Sequence, residues 1–287
     1  MATLWHHFWR LFVRSFFLAY KDGCFSVAKG AAYSALLSFF PLLTTTATIL
    51  VQIRGDTVSG LLSRALARVL PPGTEQLVLE NFRVRGARPA ALLVAATLVS
   101  IWAASRMMSS LMEGFQAIYH IPEARPFLRQ QGMAILLVLA TALPLLVASG
   151  LVLFGNRTEQ LALRWLGLLP AGQEIESWVR LLTSASRYAV AIAANVAVAA
   201  TLYFLGPNRP QRWRNVWRGA LVATALWLVS TLGFAWYVRN MAGYNVLYGS
   251  IGAVIALLVW MYVLAAVVFV GCEFNAVYER LRARKER

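Results

Sequence analysis

Six stretches of this chain contain no charged side chain at all: residues 30–53, 89–105, 132–156, 188–208, 219–238 and 240–272. A bilayer core about 30 Å thick is crossed by about 20 apolar helical residues, and a helix satisfies its own backbone polar groups in hydrocarbon. The runs predict six membrane-spanning helices. The second stops early at Arg106, but apolar character resumes through Met107, Met108, Leu111 and Met112. That span is therefore extended to 89–112, with Arg106 snorkelling toward the interface. The last run opens on Gly-, Asn- and Tyr-rich sequence, so a loop is expected there and the sixth helix near Tyr248. The expected spans are 30–53, 89–112, 132–156, 188–208, 218–238 and 248–272. They form one membrane domain over 29–275, between an N-terminal segment 1–28 and a basic tail 276–287. Pro41 and Pro144 fall inside spans and predict kinks.

The expected fold class is thus all-α, a polytopic membrane protein. Composition agrees: 59% of the 287 residues are hydrophobic and 14% charged, against roughly 45–50% and about 25% in soluble domains. The net charge of +15 would suit a nucleic-acid binder, but the basic residues are spread between both sets of connections. Fifteen Lys and Arg fall in 1–29, 113–131, 209–218 and 273–287, and eleven in the opposite set. The short connections decide orientation, because the positive-inside rule is strongest there. Arg209–Arg214 and Arg280–Lys285 contain no acid, which places both termini, Cys24 and Cys272 in the cytoplasm.

Two kinds of surface helix are expected besides the spans. Trp5, Phe8, Phe12 and Phe16 recur at helical spacing with Arg10 and Arg14 on another face, the pattern of an interfacial amphipathic helix. In the external connections, Val58, Leu61, Leu62, Ala65, Leu66, Val69 and Leu70 keep a helical period before Pro71-Pro72-Gly73. Trp178, Leu181, Leu182 and Ala185 repeat the pattern more weakly.

Several motifs resemble those of the YihY/BrkB family of bacterial inner-membrane proteins, once called ribonuclease BN-like. They are the stretch from Gly30-Ala-Ala-Tyr-Ser to Phe40-Pro-Leu-Leu, Trp102-Ala-Ala-Ser-Arg-Met-Met-Ser-Ser-Leu-Met-Glu-Gly-Phe, Leu202-Tyr-Phe-Leu-Gly-Pro-Asn-Arg, Tyr248-Gly-Ser-Ile-Gly-Ala-Val and Gly271-Cys-Glu-Phe-Asn. The resemblance runs through nearly the whole chain in order. It implies six spans, cytoplasmic termini and a role tied to the cell envelope and virulence, and it supplies no reaction.

The residue chemistry argues against the ribonuclease label. Metal-assisted hydrolysis needs clustered His, Asp and Glu, whereas the histidines are His6, His7 and His120 and the aspartates Asp22 and Asp56. No nucleotide-binding or hydrolase motif is present. No enzyme activity, cofactor, metal or nucleic-acid partner is expected. Charged groups at membrane depth are costly and therefore candidates for function: Lys29, Arg106, Glu113 and Glu273, with Asn275, are expected near one membrane boundary, either lining a cavity open to the cytoplasm that meets an anionic headgroup or relays a proton, or else with Arg106 snorkelling beside ordinary helix-end charges. Tyr33, Ser34, Ser38 and the carbonyls freed by Pro41 are either a helix-packing seam or a substrate path. At the other boundary Arg239, Tyr244, Asn245 and Tyr248 form a second polar set. Trp102, Trp227, Trp236 and Trp260 read as interfacial or lipid-facing bulk. The expected partners are membrane lipids and a lipid-like substrate, and the expected role is a transporter or flippase, or else a scaffold for envelope assembly.

Overall fold

The computed structural model describes residues 2–53, 90–122, 125–165, 177–240 and 244–285, and its regular structure is helical throughout. The helices are α1 (Ala2–Lys21), α2 (Cys24–Ile53), α3 (Ala90–Ile118), α4 (Phe127–Trp165), α5 (Ser177–Leu205), α6 (Trp213–Asn240) and α7 (Tyr244–Lys285). Six of them, α2 to α7, carry stretches long and apolar enough to cross a membrane: Cys24–Leu43, Val94–Ile118, Phe127–Val152, Ser184–Leu205, Trp213–Asn240 and Gly252–Ala283. Their outer surfaces are apolar. Leu37, Leu98, Leu143, Leu146, Val229 and Leu232 are all exposed, a coat that suits lipid and would be a liability in water.

α7 is the organising element. It packs against α1, α2, α3 and α6, and residues 269–277 are buried without interruption. A helix buried on every side must tolerate close neighbours, and here it does so through glycine. A Cβ on Gly219 of α6 would overlap the Gly271 carbonyl oxygen and stand 2.5 Å from Asn275 Nδ2. A Cβ on Gly271 would lie 2.5 Å from Tyr203 Oη and 2.7 Å from Ala223 Cβ. α6 and α7 therefore meet almost backbone to backbone, as small-residue helix pairs do in membranes.

Local signals set the helix ends. α3 finishes in a Schellman motif: Ile121 N–H donates to Gln116 O at 3.0 Å and His120 N–H to Ala117 O at 3.1 Å. His120 takes the left-handed conformation, φ 51°, usually given to glycine, and Pro122 follows. Between α1 and α2 that conformation falls to Gly23, φ 72°.

α1 forms where its periodicity predicts, but its inward face differs from the aromatic stripe. Leu11, Ser15 and Ala19 are buried, whereas Trp9, Phe16, Phe17 and Tyr20 are exposed. α1 lies against α7 and α2, with the small Ser15 and Ala19 allowing close approach and Leu11 packed beside Phe274 of α7. The aromatics are left facing outward, with Phe16 5.4 Å from Phe25 of α2. The helical pattern at residues 58–70 lies outside the described residues. Trp178, Leu181, Leu182 and Ala185 belong to α5, which runs unbroken into its span. Tyr244 to Tyr248, read from sequence as a loop, are already helical, since Asn and Tyr carry only a weak bias against helix that context overrides. Pro41 and Pro144 lie within α2 and α4.

Candidate functional site

The polar interior of the bundle is concentrated at the end where α1 meets α2, α3 and α5 finish, and α6 begins. Asn275 of α7 is buried there and locks two helices: its Oδ1 accepts from Gly219 N–H at 2.6 Å and its Nδ2 donates to Val216 O at 3.0 Å. Tyr203 of α5 is fully buried and donates its hydroxyl to Val268 O of α7 at 2.7 Å. Phe115 of α3 stacks edge-on between Tyr203 and Phe269.

Glu273 sits within this packing at 0% exposure, and neither carboxyl oxygen has a hydrogen-bond partner. Its nearest cation is Arg280, with Nη1 at 3.7 Å from Oε1. That separation is too long for a hydrogen bond. Arg280 instead donates through Nη2 to Ile118 O at 2.7 Å, one of the carbonyls left open at the end of α3. The Glu273 carboxyl interacts electrostatically with Asp22, at the α1–α2 turn, and with Cys24 and Cys272. The two cysteines, 248 positions apart in sequence, are both free and buried and interact with each other. Tyr119, just past α3, places a buried hydroxyl beside Cys272. Burial, then the neighbouring thiol, pushes that phenol well above its ordinary range.

Arginines close the end of the bundle. Arg209 lies 3.6 Å over the Tyr119 ring and pairs with Glu279 at 2.5 Å. Gln211 donates to Tyr203 O and, at 2.9 Å, to Phe204 O. Arg125, in the α3–α4 connection, reaches four acceptors at and just past the end of α5: Leu205 O at 3.1 Å, Gly206 O at 3.0 Å, Pro207 O at 3.2 Å and Asn208 Oδ1 at 3.2 Å. Burial first, and Arg129 second, lowers its affinity for its proton below the ordinary arginine range.

The charges grouped by sequence part company here. Lys29, Arg106 and Glu113 are exposed on the bundle surface, and no hydrogen bond or ion pair joins them to other described residues. Arg106 and Glu113 are seven residues apart and share a face, as expected, but that face points away from α7. Only Glu273 and Asn275 point inward. Tyr33 is exposed and Ser34 half-buried, while Ser38 is buried and returns its hydroxyl to Ala35 O at 2.8 Å. Pro41 is half-buried and Arg239 exposed. The side chains of Tyr244, Asn245 and Tyr248 lie outside the described residues.

One cavity adjoins the packed end. It holds about 180 Å³ between α3, α5, α6 and α7, lined by Met107, Asn195, Ala199, Thr224, Trp227 and Val268 among others. The Thr224 hydroxyl is buried with no hydrogen-bond partner. Asn195 is half-buried and makes no hydrogen bond to another described residue. Trp227, expected to face lipid, is part of this lining. Sequence gave no warning of the cavity, because its walls are ordinary apolar residues from four helices.

The chain is 30% identical over 254 residues to the ribonuclease-like protein YfkH of Bacillus subtilis (strain 168), covering 87% of this chain and 88% of that one. UPF0761 membrane proteins of Alkalilimnicola ehrlichii and Chromobacterium violaceum are each 28% identical, over 89% and 91% of this chain. The chain spans only 55% and 60% of their lengths. No solved structure matches. The family model for the virulence factor BrkB matches residues 19–287, a stretch that contains α2 to α7 and the whole polar end, and the chain belongs to that family of integral membrane proteins.

Proposed function

We propose that this protein is a transporter or flippase-like carrier for an amphipathic or lipid-linked envelope substrate, set in the bacterial inner membrane with both termini in the cytoplasm. No catalytic step belongs to this reading. The cavity between α3, α5, α6 and α7 carries it. Its walls are apolar, yet Asn195 and Thr224 present an amide and a hydroxyl that make no hydrogen bond to other described residues, and polar groups in hydrocarbon are candidates for substrate paths. At about 180 Å³ the cavity is below the roughly 300–1,000 Å³ of pockets that enclose a drug-sized ligand. It therefore suits one segment of a chain, with the two polar groups meeting an oxygen at the head–tail junction. The acid-free basic clusters at Arg209–Arg214 and Arg280–Lys285 support the orientation, by the positive-inside rule and by attraction to anionic headgroups. With no nucleotide-binding motif, movement would follow a gradient.

Native mass spectrometry of the purified protein tests this reading. Wild type should retain an amphipathic molecule through purification. Ala199→Phe, which projects into the cavity, should lower its occupancy roughly tenfold at an overpacking cost of about 1–3 kcal/mol, with thermal unfolding of the variant checking that it still folds. The same lipid complement on both proteins would leave the cavity without a ligand and return the scaffold reading.

A further inference from the structure

Glu273 has no assigned role in the packing around it. Its neighbours hold one another: Asn275 joins α6, Tyr203 joins α7, and Arg280 caps α3. The groups facing its carboxyl are Asp22 from the α1–α2 turn, Cys24 from α2, and Cys272 and Arg280 from α7 itself. Arg280 is the only cation in that set. An ionised carboxylate stripped of water and of hydrogen-bond donors is costly. With a guanidinium within reach, it would draw that group into a charge-assisted bond of about 2.7–2.9 Å. Here Arg280 stays 3.7 Å from Oε1 and spends its bond on Ile118 O at 2.7 Å.

We propose that Glu273 is a proton-binding site, occupied in the arrangement seen here, and that loss of its proton moves Arg280 from the Ile118 carbonyl to the Glu273 carboxylate. The step is a simple exchange: the carboxylic acid releases a proton to the aqueous phase beside the chain termini, and the carboxylate that remains takes the guanidinium as its partner. The move uncaps the end of α3. α3 also lines the cavity through Met107 and Leu111, and α7 lines it through Val267 and Val268. Val268 is five residues from Glu273, about 8 Å along the helix at 1.5 Å per residue. Proton release would thereby be felt at the cavity, and this coupling rests on the transport reading above. The proton site itself does not.

Infrared difference spectroscopy on the full chain in lipid nanodiscs, without added substrate, tests the site. At neutral pH wild type should show the carbonyl band of a protonated, buried carboxylic acid; Glu273→Gln should lack it and Asp22→Asn should keep it. Arg280→Gln removes the cation that favours ionisation, so loss of the band should move to higher pH by roughly one unit, tenfold in proton affinity. A neutral-pH band that is absent, or unchanged in Glu273→Gln, overturns the proposal, and so does an unshifted titration in Arg280→Gln. A band present in a protein that moves no amphipath keeps the proton site and removes only the transport reading. A missing band in a protein that does move one removes the proton site alone.

Discussion

Gly219→Ala should abolish stable assembly of the bundle, although it adds a single methyl group. In a helix open to lipid, alanine is about 1 kcal/mol better than glycine, so propensity alone favours the variant. Packing opposes it. The new Cβ would overlap the Gly271 carbonyl oxygen and stand 2.5 Å from Asn275 Nδ2, and neither the α7 backbone nor a side chain bonded at both ends can yield cheaply. Forcing α6 away would also break the Asn275 bonds to Gly219 N–H and Val216 O. Overpacking costs about 1–3 kcal/mol where side chains can adjust; against backbone the cost should exceed about 3 kcal/mol. The check is the melting temperature and monodispersity of detergent-purified protein. Gly233→Ala on the same helix is the control, since a Cβ there meets nothing within 4 Å and should be neutral or mildly stabilising.

Arg125→Ala should cost about 2–3 kcal/mol, from loss of the charge-assisted bonds that satisfy the open carbonyls after α5. Leu205, Gly206, Pro207 and Asn208 all accept from this one guanidinium. The cost is limited because Arg125 is itself only partly buried, so water recovers part of the bonding. Arg125→Lys should recover little of the loss, since a compact ammonium cannot reproduce a planar fork with donors on three nitrogens. Thermal unfolding of the three proteins is the measurement. Equal stability of the Lys variant and wild type would show that charge, not geometry, is what the segment needs.

The spans were legible because hydrocarbon imposes a simple demand: an uninterrupted apolar run has no stable alternative to a helix. The facing of each helix was far less legible. Lys29, Arg106 and Glu113 were grouped with Glu273 by their expected depth along the spans, yet they turn outward, as long charged side chains on a bundle surface can while covering apolar area with their stems. Glu273 turns inward because α7 is enclosed there on all sides. The aromatic stripe of α1 predicted an interfacial helix, and Phe16 of that stripe does face outward; what the stripe did not reveal is the opposite face of Leu11, Ser15 and Ala19 buried against the bundle. Arg125 and Gly219 escaped notice altogether. Arg125 finds its partners about 80 positions away, and Gly219 is one of 19 glycines, distinguished only by what crosses it. Cys24 and Cys272, discounted for their separation in sequence, are buried in the same core cluster through the packing of α2 on α7. The Gly271-Cys-Glu-Phe-Asn motif becomes intelligible residue by residue: close approach at Gly271, a buried thiol at Cys272, the acid at Glu273, packing toward α1 at Phe274 and the α6 lock at Asn275.

The most direct measurement of transport is movement of the co-purified amphipath between the two leaflets of proteoliposomes, read as accessibility of its headgroup to an impermeant reagent. Wild-type vesicles should equilibrate the molecule well faster than protein-free vesicles, and Ala199→Phe should slow that exchange roughly tenfold, about 1.4 kcal/mol in barrier. Wild-type vesicles no faster than protein-free ones, at matched protein insertion, would contradict a transport role and leave a membrane scaffold in its place.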